Sequence, residues 1–188
     1  MNIITWLREK GVKWHSWTCP NAASGGHLPV LQYIRSHGCP WDDYTTYLAA
    51  SNGYLHILKW AIENGCEVGV NSFSSAASNG HIPILSYLHS LDPIKFKFTP
   101  EICSQSAEGG HIDSLRWIQS TGCEWDKNTI LKASTSSYSE NTLEIVQYSI
   151  ENGCPCPNQE EFEKNRRYIP LDVIQYLEDK GLMKRRNE

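Results

Sequence analysis

Residues 49–66 read AASNGYLHILKWAIENGC, and this stretch decides the fold. The small pair Ala49-Ala50 precedes Gly53-Tyr54, which opens a new segment. In that segment Leu55, Ile57, Leu58, Ala61 and Ile62 form one apolar face at helical spacing. Gly65 then stands where a helix C-terminus takes a left-handed residue, with Cys66 beside it. The same order recurs on both sides. Ala22-Ala23, Gly26-His27, the face Leu28, Val30, Leu31 and Ile34, and Gly38-Cys39 come before it. Ala76-Ala77, Gly80-His81 and the face Ile82, Ile84, Leu85 and Leu88 follow, then Ser106-Ala107, Gly110-His111 and Gly122-Cys123.

Working outward, an aromatic lies five residues before each loop glycine. Trp6, Tyr33, Trp60, Trp117, Tyr148 and Tyr176 precede Gly11, Gly38, Gly65, Gly122, Gly153 and Gly181, and Tyr87 supplies the member whose glycine is missing. The ladder steps by 27, 27, 27, 30, 31 and 28 residues. A second, bulkier series lies three residues past the loop: Trp14, Trp41, Val68, Phe98, Trp125 and Cys156. A fixed period of this size is the mark of a repeat architecture. Each repeat has room for two helices of about ten residues and short loops, and none for a long β-hairpin. The first helix is short, near Tyr44 to Ser51. The second carries the apolar face, and Pro29, Pro83 and Pro170 fall in its first turn, where a missing N–H costs little.

The expected fold is all-α: a helical-repeat solenoid of one lone N-terminal helix, Ile3 to Lys10, and six helix pairs. The repeats run over about 1–15, 16–42, 43–69, 70–98, 99–126, 127–156 and 157–183, with a basic tail at 184–188. Three extra residues fall in Leu91 to Phe98, between repeats. About four more fall in Thr135 to Asn141, within a repeat, where serines at 134, 136, 137 and 139 predict a mobile turn.

Composition narrows the function. The 188 residues carry 17 basic and 21 acidic side chains, too even a balance for whole-surface binding to nucleic acid or membrane. No run approaches the ~18 apolar residues of a membrane span. The N-terminus lacks the pattern of a signal peptide, so an intracellular, cytoplasmic protein is expected.

The series Ala-Ala-x-x-Gly-His-Leu, an apolar helix, then Gly38-Cys39-Pro40-Trp41-Asp42 or Gly122-Cys123-Glu124-Trp125-Asp126 resembles ankyrin repeats. The closest likeness is to the short variant abundant in giant viruses of amoebae and in some algae and protists. The resemblance covers Asn2 to Met183. It departs from the family in its 27-residue period and in lacking the Thr-Pro-Leu-His signature and the Gly-Ala-Asp-Val-Asn hairpin. Reduced or absent β-hairpin fingers are therefore expected. The resemblance implies a non-catalytic adaptor that holds a partner protein on its first helices and inter-repeat loops, in a virus a host protein. It carries no catalytic residue across.

The chemistry-bearing residues follow the repeat. Cys39, Cys66, Cys123 and Cys154 share one repeat position, and Cys19 and Cys103 share another. They read as small buried apolar residues. Cys154-Pro155-Cys156 lacks the second pair a zinc site needs. His27, His81 and His111 open successive second helices, roughly 10 Å apart, and read as hydrogen-bonding partners of neighbouring loops. No nucleophile–base arrangement, phosphate loop, metal set or cofactor motif stands out. The aromatic ladder shares the helical register of the apolar face and reads as core. Lys164, Arg166, Arg167, Lys180, Lys184, Arg185 and Arg186 read either as a solvated C-terminal end or as a patch for an acidic partner or nuclear import.

Two groups are candidates for partner contact. Trp41-Asp42 and Trp125-Asp126 lie at inter-repeat turns, where the Trp either wedges between repeats or anchors a partner, and the Asp caps the next helix. Trp17, Tyr44, Tyr47, Asn71, Ser74, Glu101 and Lys127 take the positions on or just before the first helices that vary from repeat to repeat. Residues 3–17, with Ile3, Ile4, Trp6, Leu7, Trp14 and Trp17, form either an N-terminal cap or a face for weak self-association, which would make the chain a structural component instead.

Overall fold

The computed structural model describes residues 3–136 and 141–185. These residues form thirteen α-helices and one 3-10 turn, with no strand among them. Helix α1 (Ile3–Glu9) stands alone. The pairs are α2 (Thr18–Ser24) with α3 (Leu28–Ser36), α4 (Asp43–Ser51) with α5 (Leu55–Glu63), and α6 (Val70–Ser78) with α7 (Ile82–Leu91). They continue as α8 (Pro100–Glu108) with α9 (Ile112–Ser120), α10 (Thr129–Thr135) with α11 (Thr142–Glu151), and α12 (Gln159–Asn165) with α13 (Leu171–Asp179). The 3-10 turn Arg166–Tyr168 joins the last pair. This is the expected set of one lone helix and six pairs. The Ser-rich insertion falls largely on residues 137–140, which lie outside the described residues, as do the side chains of Ile3 and Leu7.

The chain divides into two compact bodies, Met1–Ser72 and Phe73–Glu188, with the division inside α6. In the N-terminal body α2 packs on α3 and α4, and α4 on α5. Ala23, Ala49 and Ala50 are fully buried, so the first helices approach closely over small side chains. Leu31, Ile34, Ile57, Leu58 and Ala61 fill the layer beneath. In the C-terminal body α8 packs on α9 and α10, α10 on α11, and α11 on α13. Ile84, Leu85, Leu88, Leu115, Ile118 and Ile130 are its core, each contributing about 1.5–3 kcal/mol by leaving water.

The recurring cysteines do more than fill space. Past the loop glycine the chain turns back under the helix it began with. There the Cys66 thiol donates to the Asp42 carbonyl at 3.2 Å, Cys123 to Thr99 at 3.3 Å and Cys154 to Asp126 at 3.6 Å. Each accepting carbonyl lies at the entry to the first helix of the pair that the cysteine follows. Burial pushes the Cys66 and Cys154 thiols up to about 12, so they act as neutral donors. Cys103 donates to the Cys123 sulfur at 2.9 Å and itself accepts from Gln119 Nε2 at 3.1 Å. All seven cysteines are free thiols, and Cys156, outside both repeat positions, is the one exposed.

Several expectations need correction. The aromatic ladder is not core: Tyr33, Trp60, Tyr87, Trp117, Tyr148 and Tyr176 are half-buried and Trp6 is exposed. Each sits at the edge of its apolar face. There Trp60, Trp117 and Tyr148 receive the rings of Trp41, Phe98 and Trp125 edge-on at 5.6, 5.4 and 6.3 Å. Pro170 is the N-cap of α13 rather than a residue of its first turn. The Leu91–Phe98 insertion is not merely a surface loop. Asp92 closes a turn by accepting from the Ile94 and Lys95 N–H groups, and Phe96 drops into the core beside Phe73. Arg166 is not solvated. Its guanidinium is buried against Glu178, bonds Glu163 and the Lys184 carbonyl at 3.0 Å each, and is raised further above its ordinary value by the Glu178 hydrogen bond. Four of the other late cations are also engaged: Lys164 with Glu160, Arg185 with Asp179, Arg167 over Tyr168 and Lys180 over Tyr176; Arg186 lies outside the described residues.

Candidate functional site

The first helices of the N-terminal body present an aromatic cluster. Trp17 sits at the N-cap of α2 and Tyr44 in the first turn of α4. The two occupy equivalent places in successive repeats, nine residues before Gly26 and Gly53. Their rings meet edge to face, with centroids 4.8 Å apart and planes at 78°. Tyr47, one helical turn along, lies 5.2 Å from Tyr44. Trp17 and Tyr44 remain 47% and 43% exposed, large aromatic areas that the fold leaves in water. Asp42 caps α4 by accepting the Tyr44 N–H at 3.1 Å, which fixes its carboxylate beside the rings. A cavity of about 130 Å³ opens in the corner, lined by Ser16, Trp17, Pro20, Asp42 and Tyr44.

Trp41 is not part of this cluster. It lies against Trp60 of α5 with the Arg35 guanidinium 4.3 Å over its ring, so it braces the second helices. Trp125 does the same in the C-terminal body: it meets Tyr148 and donates its indole N–H to the Asn152 carbonyl at 2.9 Å. Asp126 accepts from the Asn128 N–H at 2.8 Å, but the N-cap of α10 is Asn128, so unlike Asp42 it closes a turn and does not cap the helix. Asn71 is exposed at the start of α6, Ser74 is half-buried on the same helix, and Lys127 is exposed in the loop before α10.

The C-terminal body has its own groove on the first helices, about 490 Å³, lined by Ser78, Asn79, Glu101, Gln105, Glu108, Gly109 and His111. Glu101 is held by Lys132, which also bonds the Ser104 hydroxyl at 3.1 Å. Sequence reasoning missed Lys132, Gln105 and Glu108. The available signal was their register, since Glu101 and Gln105 are one turn apart on α8 and Lys132 is on the next first helix.

Of the repeat histidines, His111 behaves as a packing group, whereas His27 is exposed. The His111 ring lies on Gly80, where an added Cβ would come within 2.7 Å of it. Burial and the neighbouring His81 hold His111 below its ordinary 6.5, against an opposing hydrogen bond to the Ser78 backbone. Folding therefore favours the neutral ring. The unfolded chain takes up a proton at a higher pH than the folded one, so the contribution is complete above about 6.5 and is lost as the pH falls below it. We expect the urea midpoint of the wild type to fall between pH 7.5 and pH 5, and that of His111→Gln to fall less. Gly109 is tighter still: an added Cβ would lie 2.0 Å from the Ser78 carbonyl oxygen.

Among the described residues no group of three or more His, Cys, Asp or Glu is placed to hold a metal ion. No helix among them is long and apolar enough to cross a membrane. The chemistry on offer is recognition by aromatic faces, carboxylates and polar side chains.

Paired helices on a glycine-marked period, without strands among the described residues, make a helical-repeat fold, and its likeness to a solved structure gives that fold as ankyrin-type. The crystal structure of the human ASB11 ankyrin repeat domain matches with a TM-score of 0.64, covering 90% of this chain and 86% of that one. Identity is 18%, so the likeness is one of fold. No protein-family model matches the sequence. No curated protein matches it either.

Proposed function

We propose that this chain is a non-catalytic scaffold that binds a partner protein through its first helices and the adjoining loops. The observation that carries the reading is the Trp17–Tyr44–Tyr47 cluster. The exposed Trp17 and Tyr44 rings, locked together and against half-buried Tyr47 beside a fixed carboxylate, have the composition of an interface anchor. The fold supports it, because stacked helix pairs present extended binding surfaces. The contact set we infer is Trp17, Asp42, Tyr44 and Tyr47 in the N-terminal body, with Asn71, Ser74, Glu101 and Lys127 as further first-helix and loop positions. Trp41 and Trp125 serve it indirectly, by bracing, and Asp126 by closing the turn before α10. The short repeat variant this chain resembles makes a viral adaptor acting on a host protein the specific form of the proposal.

A second reading, self-association through residues 3–17, is favoured by the exposure of Trp6 and Val12 at 46% and 47%.

Affinity capture with mass spectrometry tests both. Intact protein is compared with a Tyr44→Ala/Tyr47→Ala variant. A partner retained by the intact form and lost from the variant is the expected result. Equal retention would remove the first-helix face as the site. Recovery of the chain's own copies alone, with a dimer mass by light scattering, would favour the second reading.

A further inference from the structure

We propose that the Trp17–Tyr44 corner takes an ammonium side chain, a lysine with or without N-methyl groups, from the bound segment of the partner. The inference rests on the binding-face reading above and adds its chemistry. Two aromatic planes at 78° wall a cavity of about 130 Å³, room for one small head group. Ring faces attract cations, and two faces with a carboxylate attract one more strongly than a single face does. Asp42 supplies the carboxylate, fixed at the rim by its bond to the Tyr44 N–H.

The charges around the corner point the same way. Residues 15–24 and 42–52 contain Asp42 and Asp43 and no lysine or arginine. Of the first helices α2, α4, α6, α8 and α10, only α10 carries a cation, and that residue, Lys132, is paired with Glu101. Several aromatic faces elsewhere carry one of the chain's own cations: Arg35 over Trp41, Arg116 over Tyr148, Arg167 over Tyr168 and Lys180 over Tyr176. Among the described residues, no lysine or arginine of the chain lies over Trp17 or Tyr44. A perpendicular corner also suits a compact ammonium better than a planar guanidinium, which stacks on one face as Arg35 does on Trp41.

The test uses the full chain and three short peptides that differ at one central residue: lysine, trimethyl-lysine, and a neutral analogue with carbon in place of the quaternary nitrogen. The Trp17 indole N–H resonance, assigned with Trp17→Phe, is followed during titration. Both charged peptides are expected to shift it, and the neutral analogue to bind about tenfold more weakly. Asp42→Asn is expected to weaken the charged peptides severalfold. Asparagine caps a helix as well as aspartate does, so this variant removes the charge and keeps the fold. Equal binding of the neutral analogue, indifference to Asp42→Asn, or no shift with either charged peptide would overturn the proposal. If partner capture remains dependent on Tyr44 and Tyr47 in that case, the binding face stands and only its cation specificity falls. Loss of both would remove the face itself.

Discussion

Gly109→Ala is expected to cost about 3 kcal/mol or more in urea denaturation, the largest effect of any single methyl group in this chain. The residue ends α8 with φ at −71°, which any amino acid can adopt, so backbone freedom is not the reason for glycine here. Space is. The added Cβ would lie 2.0 Å from the oxygen and 2.9 Å from the carbon of the Ser78 carbonyl, both backbone atoms that cannot rotate away. Relief requires shifting α8 against Ser78. Two controls separate this from other glycine effects. Gly25 holds the equivalent place in the N-terminal body, but a Cβ there would meet the movable His27 ring at 2.8 Å, so Gly25→Ala is expected to cost about 1 kcal/mol or less. Gly38 faces open space at φ +77°, so Gly38→Ala reports backbone strain alone, about 1 kcal/mol. Three equal losses would show that the Ser78 contact plays no part.

Arg166→Met is the second large effect. The Arg166 and Glu178 side chains are each 11% exposed. Removing the guanidinium leaves the Glu178 carboxylate buried beside a methyl group, at a cost of about 3–5 kcal/mol. The double variant Arg166→Met/Glu178→Leu has no stranded charge and is expected to recover most of that loss. A double-mutant cycle by urea denaturation reads the coupling directly. A single variant as stable as the wild type would place the pair in solvent. As a control, Arg185, which bonds Asp179 with both side chains more than half exposed, should cost no more than about 1 kcal/mol on replacement.

These two residues show where sequence reasoning stops. The helix pairs were legible because glycines, alanine pairs and apolar stripes repeat, and repetition separates structural positions from accidental ones. Gly109 hides among them. Its counterparts in two other repeats are Asn52 and Asn79, which reach back to the Leu48 and Ser75 carbonyls, so the position looks permissive until Ser78 is seen beside it. Arg166 hides for the opposite reason: it lies in the 3-10 turn between α12 and α13, which no other pair shows among the described residues, and an unpaired reading of charge sends it to the surface. Phe96 belongs to an insertion that no other repeat contains, so no periodic signal marks it as core. The ladder aromatics follow the stripe, but a large ring at the stripe's edge is half in water whatever its register. In the candidate site, the alignment of Trp17 with Tyr44 was readable from their spacing to Gly26 and Gly53. The separation of Trp41 from adjacent Asp42 was not, since it depends on which way the turn aims each side chain.

The thiol bonds have a consequence for how such a chain changes over evolutionary time. Asp42 and Cys66 are twenty-four residues apart in sequence, yet they are joined by a single hydrogen bond, as are Thr99 and Cys123. Asp126 and Cys154 meet in the same way although twenty-eight residues separate them, so the extra residues between α10 and α11 leave the meeting point in place. Each such segment leaves its path and returns to nearly the point of departure. A gene duplication or excision that cuts at these points moves the flanking chain very little. Copy number can therefore drift by unequal recombination, and the surface on offer to a partner can lengthen or shorten by whole repeats without a new fold having to be found.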